Sequence, residues 1–263
     1  MTGDGQEQGR TALVIGASSP GGLGEAVALA LHADGCTVHV AGRNVSALDA
    51  LAADLGGMAI ACDMHDEDAI AAMIDACGPI DILVNASGTT GAARLAKIER
   101  AHIEDEFAIH VTANMLLLKH ASRAMRRGGS ITLFSSITAR VPGEGLAAYS
   151  CAKAALDQLV RIAALEFGPL DVRVNAVAPG FSPTPMTQGI FADPAISALY
   201  LRDCPLETRA LDAQAVSAAQ VASAVRWLSE GDCFANGEIV QLSGGAQLGR
   251  LPRLSEIREA RRH

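Results

Sequence analysis

Residues 11–24 have the sequence T-A-L-V-I-G-A-S-S-P-G-G-L-G, an apolar pentapeptide followed by a glycine-rich turn. The pentapeptide predicts a strand over Thr11–Ile15, and the apolar spacing after the turn predicts a helix that ends near His32. Glycines in such a turn let backbone amides approach a pyrophosphate, whose negative charge the helix N-terminus favours. A glycine cluster alone is a weak signal, but its strand–turn–helix context is the one that a dinucleotide site requires.

The same alternation of short apolar runs and amphipathic stretches continues almost to the C-terminus. Further strands are predicted over 37–41, 58–62, 81–85, 130–134, 172–177 and 238–242, and further helices over 46–55, 66–77, 102–126, 146–167 and 218–229. Alternating strand and helix units predict an α/β fold, a doubly wound parallel sheet of Rossmann-like type with helices on both faces. We expect a single domain over 11–245, preceded by a flexible N-terminus (1–10) and followed by a solvated, basic C-terminal tail (246–263).

Residues 181–214 break this rhythm. They contain several prolines among apolar side chains such as Met186, Phe191 and Tyr200. A loop of this length is usually functional or mobile, and this one follows the carboxyl end of a strand, where open α/β sheets bind ligands. We interpret residues 181–214 as a substrate lid with an apolar inner face. A helical excursion packed for stability is the alternative.

Composition narrows the class of protein. Hydrophobic residues make up 49% and aromatic residues 3% of the 263 positions, which suits helices packed closely on a parallel sheet. The 21 basic and 29 acidic side chains give a formal net charge of −8, which argues against a general nucleic-acid binder. No apolar run reaches the roughly 20 residues that span a bilayer, and the polar residues 1–10 contain no secretory segment.

The cysteines and histidines indicate neither disulfides nor a metal site. The six cysteines are scattered without a C-x-x-C pair, and several lie in apolar runs, where a thiol behaves as a small hydrophobe. The seven histidines show no metal-ligand spacing. We therefore expect a reduced, cytoplasmic protein without a metal.

The glycine-rich turn and the end of the second strand contain candidate cofactor-binding residues. Those in the turn are Gly16, Ser18, Ser19, Gly22, Leu23 and Gly24. Where a carboxylate usually binds a ribose, the sequence has Gly42-Arg43-Asn44, and we take Arg43 and Asn44 as further candidates. A guanidinium suits a 2′-phosphate that a carboxylate would repel, so NADP(H) is favoured over NAD(H). An exposed loop arginine is the alternative interpretation of Arg43.

Tyr149 and Lys153 are four residues apart in a predicted helix, so a phenol and an ammonium share one face. A free tyrosine titrates near pH ~10, and a cation within a few ångström lowers that pKa, which brings proton exchange closer to neutrality. Ser136, upstream of both, offers a hydroxyl that can hold a carbonyl or alcohol oxygen. The same spacing also arises by chance on solvated helix faces, so the context decides between the two interpretations.

In their order along the chain, these motifs resemble those of the classical short-chain dehydrogenase/reductase family over about residues 10–245. After the glycine-rich turn come Asn85-Ala86-Ser87-Gly88 and then Ser136 with Tyr149-x-x-x-Lys153. Pro179-Gly180 with Thr184, and finally Leu242-Ser243-Gly244-Gly245, complete the match. Several ordered motifs are far more specific than any one of them.

The resemblance implies a role for each matching residue. Tyr149 would be the general acid/base that protonates a carbonyl oxygen as hydride arrives, Lys153 would hold the nicotinamide ribose and lower the tyrosine pKa, and Ser136 would orient the substrate oxygen. The adenosine side of the cofactor would lie against Asp63, Met64, Asn85, Ala86, Ser87 and Gly88, and the nicotinamide half against Pro179, Gly180, Ser182 and Thr184. The cofactor carries the hydride chemistry, and the protein supplies positioning and proton transfer.

Two departures from the family pattern affect the cofactor site. Five residues separate Gly16 from Gly22 where the family has three, so Pro20-Gly21 is interpreted as a two-residue insertion that alters the phosphate contacts. The middle of the usual asparagine-asparagine-alanine-glycine segment is changed at Ala86 and Ser87, which backbone contacts tolerate.

A third departure concerns the proton route. When positions are counted back along the helix from Lys119 and Met125, His110 stands where the family has its catalytic asparagine. Asn114, one turn later, is expected to lie too far along the helix to take the place of that asparagine. That asparagine holds a water linking the lysine to solvent, and a histidine can do the same with one ring nitrogen accepting and the other donating. His110 is therefore a candidate catalytic residue that would add a titration near pH ~6.5. A packed histidine, with the relay lost or rebuilt by water, is the alternative.

The resemblance implies an NADP(H)-dependent oxidoreductase that interconverts a ketone and a secondary alcohol. The spacing of Tyr149 and Lys153 favours this over the family's enoyl reductases, in which the two residues are further apart. A 3-oxoacyl thioester is one candidate substrate and an alicyclic or aromatic ketone fits equally well, while Arg202 and Arg209 could meet an anionic one. The alternative class is a non-catalytic NADP(H) sensor on the same fold, although such proteins usually lose the tyrosine or the lysine.

The expected partner is a small-molecule ketone or alcohol, and we expect the protein to bind neither nucleic acid nor a membrane. The family commonly pairs its two long helices between subunits, so a homodimer or homotetramer is expected. Small residues of the predicted helix 146–167 would permit close helix approach, namely Ala147, Ala148, Ala152, Ala154 and Ala155. Packing within one subunit explains these alanines equally well.

Overall fold

A single parallel sheet organises the molecule. The computed structural model describes residues 9–206 and 215–262. Its strands are β1 (Thr11–Ile15), β2 (Thr37–Gly42), β3 (Ala59–Ala61), β4 (Ile80–Asn85), β5 (Met125–Phe134), β6 (Arg173–Pro179) and β7 (Ile239–Leu242). They pair in parallel in the order β3-β2-β1-β4-β5-β6-β7. This confirms the predicted doubly wound, Rossmann-like fold, and the order reverses between β1 and β4, where such sheets bind ligands.

Helices cover both faces of the sheet. They are α1 (Leu23–Ala33), α2 (Val45–Leu55), α3 (Glu67–Cys77), α4 (Arg100–Phe107), α5 (Ala113–Ala121), α6 (Ala147–Phe167), α7 (Gln188–Phe191), α8 (Pro194–Leu201), α9 (Ala218–Ser229) and α10 (Leu254–Ala260). The alternation along β1 shows why two layers form. Ala12 and Val14 pack with α1, α2 and α9, whereas Leu13 and Ile15 pack with α3, α5 and α6.

The prediction of one continuous helix over 102–126 is wrong in two respects, because the helix is interrupted and it ends earlier. It consists of α4, a π-helical turn over Ala108–Thr112, and α5, which ends at Ala121. Met125 already belongs to β5, where it pairs with Ile80 before the register shifts and Ser130 pairs with Ile82. Met125 continues the helical apolar spacing, but pairing with β4 prevails because tertiary contacts override a local pattern.

The lid contains helices rather than a loop alone. A 3₁₀ turn over Pro185–Thr187 leads into α7 and α8, and residues 207–214 of the predicted lid lie outside the described residues. The rings of Phe181 and Tyr200 pack with their centroids 4.6 Å apart. The lid segment that the structure describes is therefore a helical structure with an aromatic contact at its base.

The predicted solvated tail is folded against the lid. Helix α10 packs on α8, and Glu256 of α10 lies 3.2 Å from Arg202 and 2.7 Å from Arg250. Leu251 is buried in a small apolar cluster with Ile137 and Val141, the first of which directly follows Ser136. The tail prediction was wrong because it weighed the charges of 250–262 and not the apolar residues between them.

The described chain begins just before β1. Residues 1–8 of the predicted flexible N-terminus lie outside the described residues, whereas Arg10 is fixed by a hydrogen bond of 2.6 Å to the carbonyl oxygen of Ser229. None of the helices within 9–206 and 215–262 combines the length and apolar character needed to cross a membrane.

Candidate active site

Two adjoining cavities open along the carboxyl edge of the sheet. The first lies beyond β1, β2 and β3, and its wall includes the glycine-rich turn, Arg43 and Asp63. The second lies beyond β5 and β6, and Ser136, Tyr149 and Lys153 line it. Leu23 and residues 86–88 border both cavities. Together the two form one continuous cleft across the switch point of the sheet, which we call the catalytic cleft, with a first and a second cavity.

Close backbone approaches explain the glycines of the turn. Gly16 has φ +84°, and a Cβ added there would lie 2.5 Å from the backbone nitrogen of Ser87. A Cβ on Gly24 would lie 2.4 Å from the carbonyl oxygen of Gly16. Only glycine fits both places, and the result is a shallow cradle at the N-terminus of α1, open to the first cavity.

The two-residue insertion forms the tip of this turn. The amide of Gly22 donates to the carbonyl oxygen of Ser19 at 2.9 Å, and the amide of Gly21 donates to the carboxylate of Glu25 at 2.6 Å. Ser18, Ser19 and Gly22 still line the first cavity. The insertion therefore extends the turn at its outer end, and its Gly21 amide is engaged by Glu25 rather than free for a phosphate.

The far end of the first cavity has a positive side chain and a hydroxyl. Arg43 is exposed and lines it, and a Cβ on Gly42 would lie 2.7 Å from Oγ of Ser18, so the serine hydroxyl packs at the end of β2. Asp63 lines the same end and accepts the amide of His65 at 3.0 Å. This hydrogen bond holds the pKa of the Asp63 carboxyl below its usual value.

Two of the predicted cofactor residues have structural roles instead. Asn44 caps α2, since its Oδ1 accepts the amide of Ala47 at 3.3 Å. Asn85 is buried, accepts the amide of Ser87 at 3.0 Å and donates to Asn114 at 2.9 Å. Neither belongs to the residues that line the cleft within the described chain. Asn85 instead shapes the turn that brings residues 86–88 to the cleft.

The three predicted catalytic side chains meet in the second cavity. Tyr149 and Lys153 lie in the first two turns of α6, and Nζ of Lys153 is 5.6 Å from the centroid of the Tyr149 ring. Ser136 follows β5, and its Oγ accepts the amide of Thr138 at 3.2 Å, which orients the hydroxyl. A phenol, an ammonium and a hydroxyl therefore share one wall of the cavity, the arrangement needed to bind an oxygen and pass it a proton.

His110 lines the same cavity, from the π-helical turn between α4 and α5. Its ring meets the ring of Tyr149 edge-on, with centroids 5.2 Å apart, and its Nε2 lies 2.8 Å from the carbonyl oxygen of Thr89. Asn114 donates to the backbone oxygen of His110 at 2.9 Å and thus holds the turn rather than the proton route. The structure places His110 beside the predicted catalytic pair.

The opposite wall comes from the end of β6 and from the lid. Pro179, Gly180, Ser182 and Thr184 line the second cavity, as the sequence predicts. Arg202 points elsewhere, because it pairs with Glu256 and Asp203 at the end of α8. Arg209 lies outside the described residues. The anion contact considered for Arg202 is thus contradicted by its position.

Sequence comparison identifies the family. Residues 16–247 match a family model described as enoyl-(acyl carrier protein) reductase. The chain belongs to the short-chain dehydrogenase/reductase family. It is 30% identical over 202 residues to L-xylulose reductase from Bos taurus, a match that covers 75% of this chain and 82% of that protein.

Solved structures of other short-chain dehydrogenases/reductases share the fold. A short-chain type dehydrogenase/reductase from Mycobacterium ulcerans matches with a TM-score of 0.86 and 29% identity, covering 95% of this chain and 94% of that one. A short chain dehydrogenase from Burkholderia cenocepacia J2315, solved in complex with NADP, matches with a TM-score of 0.79 and 30% identity. That match covers 91% of this chain and 98% of that one.

The electrostatics of this short-chain dehydrogenase/reductase differ from the expectation in one respect. Burial lowers the pKa of Lys153 to about 7. Burial also raises the pKa of Tyr149 to about 12, against the lowering effect of a hydrogen bond from Ser136. The pKa of Tyr149 is therefore raised and not lowered, because removal of the phenolate from water is the largest influence on it, and the lowering effect of Lys153 stays a prediction.

The second cavity also contains residues that the sequence did not single out. They include Thr89, Thr90, Phe134, Ile137, Thr138 and Leu146. Thr138 could have been found from its position two residues after Ser136, whereas the others lie on segments that carry no motif. Glu106, which contacts His110, could have been found only from its spacing of four residues on a helix.

Proposed function

We propose that the protein is an NADP(H)-dependent oxidoreductase that interconverts a ketone and a secondary alcohol. One observation carries this proposal: Tyr149, Lys153 and Ser136 line a cavity that is continuous with the glycine cradle of α1. Family membership supports the oxidoreductase class, and the spacing of Tyr149 and Lys153 favours carbonyl reduction over enoyl reduction.

The residues of the cleft fit a dinucleotide with a 2′-phosphate. Turn amides around Gly16 and Gly22 would hold the pyrophosphate, since the close approaches there leave no room for side chains. Arg43 with the Ser18 hydroxyl would hold the 2′-phosphate, because no carboxylate follows β2 at that point of the sequence. The NADP complex of the Burkholderia cenocepacia relative is consistent with this assignment.

The remaining contacts follow the cleft toward the reacting atoms. Residues 86–88, with Asp63 and Met64, would line the adenosine side. Lys153 would hold the nicotinamide ribose, and Pro179, Gly180, Ser182 and Thr184 would border the nicotinamide half. When bound, the dinucleotide supplies the hydride.

The side chains of the second cavity would handle the proton. The hydroxyl of Ser136 would donate to the substrate oxygen and hold it beside Tyr149, whose phenol would give the proton in reduction and accept it in oxidation. Lys153 would stabilise the phenolate and exchange protons with it, since a pKa of about 7 makes both of its forms available at neutrality. His110 would connect Lys153 to the next proton acceptor.

The lining of the second cavity suits an uncharged ketone with an apolar body. Ile137, Leu146, Phe181 and Ile190 contribute apolar surface, and among the residues that line this cavity within the described chain Lys153 is the only Lys, Arg, Asp or Glu side chain. A 3-oxoacyl thioester meets this requirement through its acyl chain, and an alicyclic or aromatic ketone meets it through its ring. We also propose a homo-oligomer, because α6 exposes Leu165 and Ile162 to solvent.

Turnover with a panel of uncharged ketones and NADPH tests the proposal. We expect oxidation of NADPH with at least one ketone, and a loss of kcat of roughly 10²-fold or more in Tyr149→Phe with NADPH affinity retained. NADPH affinity without turnover of any ketone, together with a Tyr149→Phe variant that behaves as wild type, would instead favour the non-catalytic sensor.

A further inference from the structure

Glu106 is a buried carboxylate one helical turn before His110, behind the catalytic wall of the cleft. Its side chain is 3% exposed and that of His110 is 1% exposed. Its Oε1 accepts the backbone N–H of Gly91 at 2.7 Å, and its Oε2, which has no hydrogen-bond partner among the described residues, lies at an ion-pair distance of 3.3 Å from Nε2 of His110. Burial of a carboxylate is unfavourable unless nearby groups compensate its charge, so the groups around Glu106 indicate its role.

The contacts of the His110 ring determine where its proton lies. Nε2 is 2.8 Å from the carbonyl oxygen of Thr89, which can only accept, and a Glu106 oxygen faces the same nitrogen. Nε2 therefore carries the proton, and Nδ1 of the neutral ring is an acceptor. Among the described residues, Nδ1 is buried without a hydrogen-bond partner.

The unpartnered nitrogen lies at the catalytic cleft. A Cβ added to Gly88 would lie 3.3 Å from Nδ1 and 2.6 Å from Cε1 of His110, so this edge of the ring packs directly on Gly88. Gly88, His110, Tyr149 and Lys153 all line the second cavity. The ring edge that carries Nδ1 thus packs on Gly88 at the second cavity, and Nε2 faces Thr89 and Glu106.

We propose that Glu106 is a positioning residue of the reaction: with the Thr89 carbonyl it holds the His110 proton on Nε2 and so presents Nδ1 as a proton acceptor. The inference rests on the proposed function, in which His110 passes protons from Lys153. In oxidation, one proton leaves the Lys153 ammonium and binds Nδ1, which gives a neutral amine and an imidazolium; reduction reverses the step. The carboxylate then faces the imidazolium, as in a serine-protease triad.

The charges around the pair set the direction of its pH effects. Tyr149 and Lys153 of α6 face it, Asp157 lies one turn further along α6, and the ring of His102, one turn before Glu106, packs on Gly91. Burial is the largest influence on the pKa values of Lys153, His110 and Tyr149, and the charge of Glu106 raises all three. Loss of that charge therefore lowers all three pKa values.

A glutamine in place of Glu106 reverses the hydrogen-bond pattern at His110. The amide of Gly91 is a donor, so it keeps the carbonyl oxygen of the glutamine on its side. The glutamine NH₂ group then faces Nε2, where it opposes an N–H and favours a proton on Nδ1. Glu106→Gln thus keeps the size of the side chain while it disfavours the tautomer that the proposal requires.

The tautomer can be measured without turnover or cofactor. In protein labelled with ¹⁵N in its histidine rings, we expect His110, assigned from its loss in His110→Asn, to carry its proton on Nε2, and a population with the proton on Nδ1 to appear in Glu106→Gln. A proton on Nδ1 in wild type would overturn the proposal, and this reading needs only the His110→Asn variant that assigns the signal. An identical His110 tautomer and pKa in Glu106→Gln would overturn it as well.

Kinetics then separate positioning from a general structural role. With NADPH and the best ketone of the panel, we expect Glu106→Gln to lower the plateau kcat about tenfold. The apparent pKa of the kcat–pH profile should fall by about one unit, and the KM for NADPH should stay unchanged. In the His110→Asn background the plateau loss should disappear. An equal loss in both backgrounds contradicts the proposal. Glu104→Gln, an exposed carboxylate of the same helix, is the matched control and should behave as wild type.

The two readouts distinguish the failure of this inference from the failure of the proposed function. If no ketone is turned over, the proposed function fails, while the ring tautomer still decides whether Glu106 positions His110. If turnover is found and the tautomer is the same in wild type and Glu106→Gln, the inference alone fails.

Discussion

Nζ of Lys153 donates to the carbonyl oxygen of Phe134, the last residue of β5, at 2.7 Å. The lysine is 4% exposed, so this hydrogen bond ties α6 to the carboxyl edge of the sheet at a largely buried position. Ser136 follows the same strand end by two residues. One strand terminus therefore positions both the Ser136 hydroxyl and the Lys153 ammonium, the two groups to which the proposed function assigns the substrate oxygen and its proton.

The buried ammonium predicts a specific dependence of stability on pH. Burial lowers the pKa of Lys153 from 10.5 to about 7, so between these values the unfolded state binds more protons and folding becomes more favourable as pH rises. The free energy of unfolding of wild type, relative to that of Lys153→Met, should rise between pH 7 and 9 with a limiting slope of about 1.4 kcal/mol per pH unit. Urea unfolding of both proteins at several pH values measures it, and parallel curves would contradict the assigned burial effect.

The sheet and the placement of Tyr149 beside Lys153 were predictable because each depends on a local pattern. Alternating apolar strands and amphipathic helices determine the layers, and Tyr149 and Lys153 need only four residues of one helix to share a face. In the glycine cradle, the approach of Gly16 to Ser87 joins two distant segments, but the approach of Gly24 to Gly16 follows from the same logic, since it lies within one strand–turn–helix unit. These features could be predicted without knowledge of any long-range contact.

The features that the sequence missed depend on contacts between distant segments. The start of β5 at Met125 requires pairing with β4, and the folding of 250–262 requires Leu251 to reach Ile137 and Val141. The role of Glu106 depends on residues 88–91 crossing over α4, which places Thr89 and Gly91 around the buried pair. No periodicity in the sequence reports such crossings.

The His110 ring should leave room only for glycine at position 88. A Cβ at Gly88 would lie 2.6 Å from Cε1 of the imidazole, so Gly88→Ala should lower the free energy of unfolding by about 1–3 kcal/mol through overpacking. His110→Ala removes the ring, and in that background the added methyl group should have a much smaller effect. Thermal or urea unfolding of the four proteins measures the coupling. A penalty that is the same in both backgrounds would show that another contact limits the position.

Arg43 should determine the choice between the two dinucleotides. Loss of its guanidinium in Arg43→Gln should raise the KM for NADPH about tenfold or more, because hydrogen bonds to charged groups are among the stronger ones, and should leave the KM for NADH nearly unchanged. Arg127→Gln is the matched control, since Arg127 is exposed at the opposite edge of the sheet. Steady-state kinetics with both dinucleotides measure the change. If Arg43→Gln changes the KM for NADPH and the KM for NADH equally, Arg43 does not bind the 2′-phosphate.

Glu256 should couple the C-terminal helix to substrate affinity. Its carboxylate pairs with Arg202 at the end of α8 and with Arg250, and these ion pairs hold its pKa well below the usual range. Tyr200 of α8 lines the second cavity, so release of this end of the lid in Glu256→Gln should raise the KM for the ketone several-fold and leave the affinity for NADPH unchanged. Glu259→Gln changes an exposed carboxylate of the same helix and should have no effect. If the two variants behave alike, or if NADPH affinity falls together with ketone affinity, then α10 does not act through the lid.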